Sequence, residues 1–316
     1  MGILPLGLIG LFGKTFGQIQ SEITMMKLFA LISAIALASP AYAGEYAGPI
    51  YDAHAHLPRS ISADDIKVVY KKAGIEKAVI FVKPNLIKQS KKLEKVRKTL
   101  GPGFFIFPDV HGGKRGGYEL KEGLLNKVSG LFKSGSIGGV GEVYIHLSYA
   151  PFAPAGIITN IASEAERTLL KRANALGMTV HIHHEAPDAA LKDALSEFSN
   201  IKFVLAHSGY LAPSVLDKLM SDHPNLYADL SLISNHYFGP FKDSPKLKKS
   251  PSDEWKTLLI KHQSRFLVGS DIGASLERVS KLPSIIEDYR IMLGHLPNEA
   301  AEKIAYRNFE QVIGRH

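Results

Sequence analysis

The sequence contains no cysteine, and this absence limits both its cross-links and its metal chemistry. Without thiols the chain forms no disulfides, and a bound metal must be held by imidazole and carboxylate groups. Such ligands suit zinc, manganese and iron. Should the chain bind a divalent metal, in one or two ions per chain, these ligands make zinc the first choice and manganese or iron the alternatives.

Long apolar runs are also scarce. Near the N-terminus, Lys14 and the polar residues in 18–22 interrupt the apolar pattern before it reaches the roughly 18 residues of a membrane span, so no stable span is expected. Lys27, the apolar run 28–37 and the residues Ala41-Tyr42-Ala43 instead match the three parts of a secretory signal peptide. We expect cleavage after Ala43 and export to the periplasm or to the medium.

This assignment divides the chain into an N-terminal extension with its signal peptide, residues 1–43, and a single domain, residues 44–316. A signal peptide normally begins a chain, so Met25 or Met26 suits its start better than Met1, and translation of residues 1–24 is left open. An uncleaved anchor is the alternative. The length of 316 residues and the 45% hydrophobic content suit one barrel-sized core.

The charge balance is basic but does not indicate a macromolecular partner. Lysine and arginine total 38 against 30 acidic residues, and lysines cluster in 88–98 and 242–249. No aromatic residues are interleaved with these runs, so they suit solvated surfaces better than nucleic-acid binding. We therefore expect a small-molecule substrate and no specific nucleic acid. The oligomeric state is left open.

Short β-branched runs alternate with helical patterns from residue 50 onward. Strands are predicted near residues 50–56, 76–82, 104–109, 137–145, 178–183, 201–207, 225–231 and 265–270. Helices are predicted at about 62–73, 86–99, 119–133, 161–176, 188–198, 212–221, 253–263, 276–292 and 297–312. Eight strands separated by helices predict an α/β fold, the (β/α)8 or TIM barrel. An open doubly wound sheet is the rival, but no GxGxxG turn follows the first strand.

Polar clusters end five of the predicted strands. They are Asp52-Ala-His54-Ala-His56, Gly141-Glu142, His181-Ile-His183-His184, Ala206-His207-Ser-Gly209 and Gly269-Ser-Asp271. Residues at i and i+2 of a strand point to the same side, so His54 and His56 can hold one ion together. Each residue alone has an ordinary explanation as a buried or capping group, whereas five clusters at one end of a barrel predict a metal site. On the fifth strand we prefer His183 as the ligand, and His181 or His184 is the alternative.

The pattern resembles the amidohydrolase superfamily from Ile50 to about Gly314. The segments most similar to its amidohydrolase-related branch (amidohydrolase 2) are Asp52–Leu57, Val204–Gly209, Leu226–Leu230 and Ala305–Phe309. The order of candidate ligands is also similar to that of the TatD-type metal-dependent deoxyribonucleases, in which a glutamate on the fourth strand is a shared ligand.

The resemblance implies a role for each candidate residue. It makes His54, His56 and Asp271 the ligands of one ion, gives His183 and His207 to a second ion or to the substrate, and lets Glu142 bridge. It implies a metal-dependent hydrolase in which metal-bound hydroxide attacks a small ester, lactone or amide, with Asp271 as general base and His207 polarising the oxygen under attack. Candidate substrate contacts are Arg115, His146 and His236, for which an exposed loop position is the ordinary alternative.

Three other functions are compatible with these residues. A non-oxidative decarboxylase of the same fold would hold a carboxylate substrate on the metal, with Lys114 or Arg115 as the matching cation. A TatD-like nuclease would use the same ligands on DNA ends. A non-catalytic exported barrel would bind a metal or ligand without turnover. The sequence does not predict the substrate.

Overall fold

Nine strands occur within the residues that the computed structural model describes, which are 44–57, 61–110, 122–147, 157–231, 250–273 and 276–313. The strands are β1 (Asp52–His56), β2 (Ala78–Val82), β3 (Phe104–Pro108), β4 (Gly139–Leu147), β5 (Ile157–Ile158), β6 (Thr179–His184), β7 (Lys202–Leu205), β8 (Leu226–Asp229) and β9 (Phe266–Leu267). All eight predicted strands are therefore present. The short β5 was not predicted, and it pairs antiparallel with the end of β4.

The described helices lie between the strands as expected. They are α1 (Ala63–Lys72), α2 (Pro84–Lys88), α3 (Ser90–Leu100), α4 (Glu122–Lys133), α5 (Glu164–Leu176), α6 (Ala189–Glu197), α7 (Pro213–Asp222), α8 (Asp253–Lys261), α9 (Leu276–Ser280), α10 (Leu282–Gly294), α11 (Asn298–Glu302) and α12 (Asn308–Val312). The chain forms a π-helical turn over Lys303–Arg307. The Ser62 hydroxyl caps α1 by accepting from the Asp65 N–H at 3.1 Å.

Two predicted helices are each divided in two. The predicted helix at 86–99 is interrupted at Gln89, whose φ of −104° and ψ of 80° are not helical. The predicted helix at 276–292 restarts at Leu282, directly before Pro283. Proline has no N–H to donate and suits the first turn of a helix, so a new helix begins there.

The strands form a closed barrel from two hydrogen-bonded sheets. The first has the order β1-β2-β3 and the second β5-β4-β6-β7-β8-β9, and every pair except β4 with β5 is parallel. At one junction the Gly138 N–H donates to the Ile106 carbonyl at 3.0 Å. At the other the Ala53 N–H donates to the Val268 carbonyl at 2.8 Å. The predicted (β/α)8 fold is confirmed.

The barrel interior is filled by side chains and is closed at its N-terminal end by the segment Asn308–Ile313. The buried interior residues are Ala53, Val79, Phe81, Phe107, Val204, Tyr227, Leu267, Phe309, Val312 and Ile313. The Asn308 side-chain amide donates to the carbonyls of Gln263 and Phe266, both at 2.8 Å, where β9 begins. Because this end is closed, the opposite end is the one available for a site.

Several sequence predictions fall outside the described residues. These are the signal peptide within residues 1–43 and the candidate substrate contacts Arg115 and His236, together with Lys114. Cleavage after Ala43 therefore stays a prediction. Within the described part of the chain, no helix combines the length and the apolar character needed to cross a bilayer.

Candidate metal centre

Four nitrogen and oxygen donors converge at the C-terminal end of the barrel. His54 and His56 leave β1 on one face, with their Nε2 atoms 3.3 Å apart. Asp271, which follows β9, places Oδ1 3.3 Å from the first of these nitrogens and 3.2 Å from the second. Glu142 of β4 places Oε2 3.6 and 3.4 Å from the same two nitrogens. We call these four donors the first donor group.

The spacing of the first donor group fits a divalent ion. Ligand bonds of about 2.0–2.2 Å around a tetrahedral ion separate neighbouring ligand atoms by about 3.3–3.6 Å. The separations of 3.2–3.6 Å fall in or beside this range. Two imidazoles and two carboxylates are also a donor set that zinc, manganese and iron accept. The residues present therefore fit the metal that the sequence predicts.

The second oxygen of Glu142 faces two further imidazoles, which with it form the second donor group. Oε1 lies 2.7 Å from His183 Nδ1 and 3.5 Å from His207 Nε2. All three side chains are buried. The Glu142 carboxylate thus lies between the two donor groups, with one oxygen directed at each of them.

The ionisation of these groups is strongly coupled. Burial favours a higher pKa for Glu142, but the charges of His54 and His183 outweigh it and hold its pKa well below the ordinary value. Burial favours a lower pKa for His54, but Asp229 and Glu142 hold it well above the ordinary value. The pKa of His183 is raised to about 9 because Glu142 outweighs its burial. The charged form of both imidazoles is therefore favoured, and both rings face the carboxylate of Glu142.

Both oxygens of Asp271 have partners. Oδ1 faces the two β1 imidazoles, and Oδ2 accepts from Arg278 Nη2 at 3.0 Å. The backbone of Asp271 is left-handed, with φ of 49°, and its N–H donates to the His54 carbonyl at 2.7 Å. Arg278 in α9 was not among the predicted site residues, and no motif in the sequence distinguished it.

His207 lies in a left-handed turn at Ala206–Tyr210, and not at the end of a strand. The predicted strand 201–207 is therefore wrong in its last two residues. The φ angles at 207–210 are 55°, 51°, 62° and 52°. Residues other than glycine rarely adopt this backbone conformation. The His207 N–H donates to Asp229 Oδ1 at 3.1 Å, which anchors the turn to the end of β8. The turn directs the imidazole toward Glu142.

Two glycines allow the strands to approach the site closely. A Cβ on Gly141 would lie 2.6 Å from the His181 Cβ, and its φ of 152° also disfavours a side chain. A Cβ on Gly269 would lie 2.9 Å from the His54 Cβ. The glycines that precede Glu142 and Asp271 in the sequence clusters are thus required by packing.

Sequence reasoning missed two carboxylates that hold the outer nitrogens of the site. Asp229 at the end of β8 accepts from His54 Nδ1 at 3.0 Å, and Glu185 just after β6 accepts from His183 Nε2 at 2.9 Å. The Leu226–Leu230 segment contains Asp229 at the C-terminal end of a strand. Because barrel sites are built at the C-terminal ends of strands, this position could have identified Asp229 as a functional residue.

The other histidines of β4 and β6 are not members of the two donor groups, although the His181 ring lies 4.9 Å from the His54 ring, between centroids. His181 is buried, and its Nε2 lies 2.6 Å from Asp229 Oδ2. His184 Nδ1 accepts from the Ala186 N–H at 3.3 Å, and the ring lies 5.9 Å from that of His146, between centroids. Of the predicted ligands, the structure brings together His54, His56, Glu142, His183, His207 and Asp271. The predicted substrate contact His146 is not part of either group.

Comparison with known proteins agrees with this geometry. Residues 143–259 match the sequence model of the amidohydrolase family described as Amidohydrolase. The predicted resemblance to the amidohydrolase superfamily is confirmed. No curated protein sequence matches the chain. The amidohydrolase match, the barrel and the donor groups agree on a metal-dependent enzyme of hydrolase type.

Solved structures share the amidohydrolase-type barrel at low sequence identity. Dihydroorotase from Campylobacter jejuni is 17% identical with a TM-score of 0.55, covering 85% of this chain and 84% of its own. An amidohydrolase from Burkholderia multivorans is 11% identical with a TM-score of 0.53, covering 85% and 100%. A 2,6-dihydroxybenzoate decarboxylase is 9% identical with a TM-score of 0.54, covering 85% and 98%. At these identities the likeness supports the fold and not the reaction.

Proposed function

We propose that this protein hydrolyses a small ester, lactone or amide by metal-dependent chemistry. The observation that carries the proposal is the placement of Glu142, whose two oxygens face two separate groups of ligand atoms. A bound divalent ion would lower the pKa of a water molecule and polarise a substrate carbonyl. We propose zinc, in one or two ions, because imidazole and carboxylate donors suit it.

Asp271 is the proposed general base. Its side chain is 12% exposed, against 3% for Glu142, so it is the donor carboxylate that a water from solvent meets first. Arg278 holds Oδ2, which leaves Oδ1 directed at the donor group. Asp271 would take the proton of the attacking water and return it to the leaving group.

His207 is better suited to bind the ion than to polarise the substrate. Its Nδ1 lies 2.8 Å from the Ser231 hydroxyl oxygen and 3.3 Å from the Ser231 carbonyl oxygen. A carbonyl oxygen can accept a hydrogen bond but cannot donate one. An Nδ1–H bond to this carbonyl leaves a lone pair on Nε2, the atom that faces Glu142. We therefore assign His207 to metal binding, in place of the oxygen-polarising role implied by the resemblance.

Hydrolysis is favoured over decarboxylation by the charges near the site. Glu142 and Asp271 place two carboxylates in the first donor group, and a carboxylate substrate bound there would be repelled by them. Arg278, a described cation of the site, is already paired with Asp271. A neutral ester, lactone or amide meets neither difficulty.

A substrate panel on the metal-loaded protein tests the proposal. Zinc, manganese or iron would be restored to metal-free protein, and simple esters, lactones, dihydroorotate and 2,6-dihydroxybenzoate would be assayed. Hydrolysis that disappears on chelation is expected. Asp271→Asn should lower kcat by about 10²–10⁴-fold while the protein keeps at least one ion. Asp217→Asn, which changes an aspartate of α7 that pairs with Lys261 of α8, is the control.

Other outcomes would select another function. Release of carbon dioxide without hydrolysis would indicate a decarboxylase, and cleavage of single-stranded DNA would indicate a nuclease. A protein that binds its ions but turns over no member of the panel, before or after the Asp271 substitution, would contradict the proposed enzyme.

We also propose that the protein is exported. Lys27, the apolar run 28–37 and the Ala41–Ala43 segment support this proposal. N-terminal sequencing of protein recovered from the periplasm should begin at Gly44. A mature chain that retains Leu28 would contradict it.

A further inference from the structure

The outer nitrogens of three imidazoles are each held by a hydrogen-bond acceptor. His54 Nδ1 lies 3.0 Å from Asp229 Oδ2, and His183 Nε2 lies 2.9 Å from Glu185 Oε1. His207 Nδ1 lies 2.8 Å from the Ser231 hydroxyl oxygen. In each ring the other nitrogen is the one that faces Glu142 or the first donor group.

Building on the proposed function, we propose that Asp229 and Glu185 are positioning residues for two different sets of metal ligands. Asp229 fixes His54 directly and His207 through Ser231, whereas Glu185 fixes His183 alone. Each carboxylate holds an N–H on the outer nitrogen and so leaves the lone pair of the inner nitrogen for the ion. An imidazole held in this way cannot rotate or change tautomer without losing its bond.

Asp229 can only accept hydrogen bonds, and this fixes the protons around it. Its side chain is fully buried, and Oδ1 accepts from the His207 N–H at 3.1 Å. Oδ2 accepts from both rings, and Oδ1 accepts from the Ser231 N–H at 2.9 Å. His54 must therefore carry a proton on Nδ1.

The contact of His181 also indicates that Asp229 acts as a hydrogen-bond acceptor. Its Nε2 lies 2.6 Å from Asp229, while its Nδ1 is buried and has no hydrogen-bond partner among the described residues. The proton of a neutral ring thus belongs on Nε2, where an acceptor exists. Asp229 is the common acceptor of two neighbouring imidazoles.

Ser231 extends the effect of Asp229 to His207. The Ser231 hydroxyl donates to Asp229 Oδ1, so its oxygen is left to accept from His207 Nδ1. The His207 N–H also donates to Asp229 at 3.1 Å, which places the ring beside this chain of bonds. Asp229 thereby acts on both donor groups.

Among the ligand imidazoles, Glu185 is hydrogen-bonded to His183. It is close in sequence to His183 and its side chain is 5% exposed. His183 Nδ1 faces Glu142 at 2.7 Å, so the two carboxylates lie on opposite edges of the same imidazole. When an ion replaces the proton on Nδ1, the bond from Nε2 to Glu185 still fixes the ring.

Cobalt binding to the metal-free full-length protein tests this assignment. Asp229→Asn presents an amide that cannot accept on both sides, and it should weaken Co²⁺ binding by about 10–100-fold. Glu185→Gln should weaken, by a similar factor, only the Co²⁺ held by His183 and His207. Asp109→Asn is the matched control, because Asp109 is also buried at a strand end but pairs with Lys83. Its Co²⁺ affinity should equal that of the wild type.

A spectroscopic measurement separates positioning from a general structural effect. In the cobalt-loaded protein, the exchangeable N–H resonances of the ligand imidazoles are shifted by the paramagnetic ion. Glu185→Gln should move one of these resonances, and Ser231→Ala should move a different one. Asp229→Asn should move the one that Ser231→Ala moves and a further one. If Asp229→Asn does not fold, the two single-resonance variants still test the assignment.

Two patterns would overturn the inference. One is unchanged Co²⁺ affinity and unchanged resonances in Asp229→Asn and Glu185→Gln, and the other is an equal loss in all variants including Asp109→Asn. Either pattern in a wild type that binds Co²⁺ leaves the proposed function intact. A wild type that binds no Co²⁺ and hydrolyses nothing would overturn both.

Discussion

At the residue scale, the site depends on buried carboxylates whose oxygens are fully occupied. Asp52 lies below the first donor group and accepts from the Tyr70 hydroxyl at 2.6 Å, the Ser270 hydroxyl at 2.5 Å and the His54 N–H at 3.1 Å. It joins α1, β1 and the segment after β9. Burial raises the pKa of Asp52 and these hydrogen bonds oppose the rise, so the carboxylate needs each of them.

Tyr70→Phe is therefore expected to destabilise the protein. The substitution removes one hydrogen bond to a buried carboxylate and leaves the packing of the ring in place. The free energy of unfolding should fall by about 1.5–3 kcal/mol. Urea denaturation measures the change. Tyr306→Phe, which removes a partly exposed hydroxyl, is the control, and an equal effect in both variants would contradict the role of Asp52.

Arg278→Gln tests the orientation of Asp271. The guanidinium bond to Oδ2 at 3.0 Å is lost, so the carboxylate can rotate away from the first donor group. We expect kcat to fall by at least about tenfold with an unchanged metal content. Lys281→Gln, which breaks an exposed pair with Glu277, should leave kcat unaltered. Loss of metal in Arg278→Gln would show that the arginine supports binding of the ion instead.

At the scale of elements, the left-handed turn at Ala206–Tyr210 replaces the end of a strand. Three of its four left-handed residues carry side chains, and each such residue costs of order 1–3 kcal/mol. Asp229 and Ser208 offset this cost, since the Ser208 hydroxyl donates to the Asp229 carbonyl at 2.8 Å. The strained backbone lies in the turn that directs the His207 imidazole toward Glu142.

Gly209 is the position in this turn least able to accept a side chain. A Cβ there would lie 3.0 Å from the His184 carbonyl oxygen, at a φ of 62°. Gly209→Ala should lower the free energy of unfolding by about 1–2 kcal/mol. Gly130→Ala in α4, where a Cβ meets nothing within 4 Å, should raise it by up to about 1 kcal/mol. Thermal or urea denaturation measures both changes. If the free energy of unfolding changes in the same direction in the two variants, this account is wrong.

At the scale of the whole molecule, the sequence predicted the barrel better than it predicted the details of the site. The strand pattern and the polar strand ends are local signals, so all eight strands and the residues of the two donor groups were accessible. The partners Asp229, Glu185 and Arg278 depend on how distant elements pack, and a lone carboxylate or arginine has no distinctive sequence pattern. The turn at His207 was missed because its left-handed residues include only one glycine.

The metal-free molecule should release protons when it binds zinc. The pKa of His183 is raised to about 9 and that of His54 is also raised, so both rings hold protons at neutral pH. Zinc displaces these protons, and its affinity should rise with pH at least until about 9, where His183 loses its proton. The contribution of His183 to the stability of the metal-free fold changes in the opposite direction: it is complete below the ordinary histidine pKa and is lost as pH rises through about 9.

Calorimetric titration with zinc in two buffers of different ionisation enthalpy at pH 7 measures this release. The apparent binding enthalpies in the two buffers should differ by the number of released protons multiplied by the difference between the protonation enthalpies of the buffers. Identical enthalpies would mean that no proton leaves and would contradict the charged state assigned to the empty donor groups. His262→Gln, which changes a histidine paired with Asp217 away from the site, should leave the difference unaltered.

The closure of the barrel by Asn308–Ile313 has a consequence for biosynthesis. This segment is made long after β1, yet Phe309 and Val312 belong to one buried cluster with Ala53 of β1 and Val79 of β2, and Asn308 bonds to the start of β9. A nascent polypeptide whose Asn308–Ile313 segment is still inside the ribosomal tunnel therefore exposes an uncovered apolar floor. Native assembly of the interior is expected to follow the emergence of this segment from the tunnel, and chaperones that hold unfinished chains would act before that point.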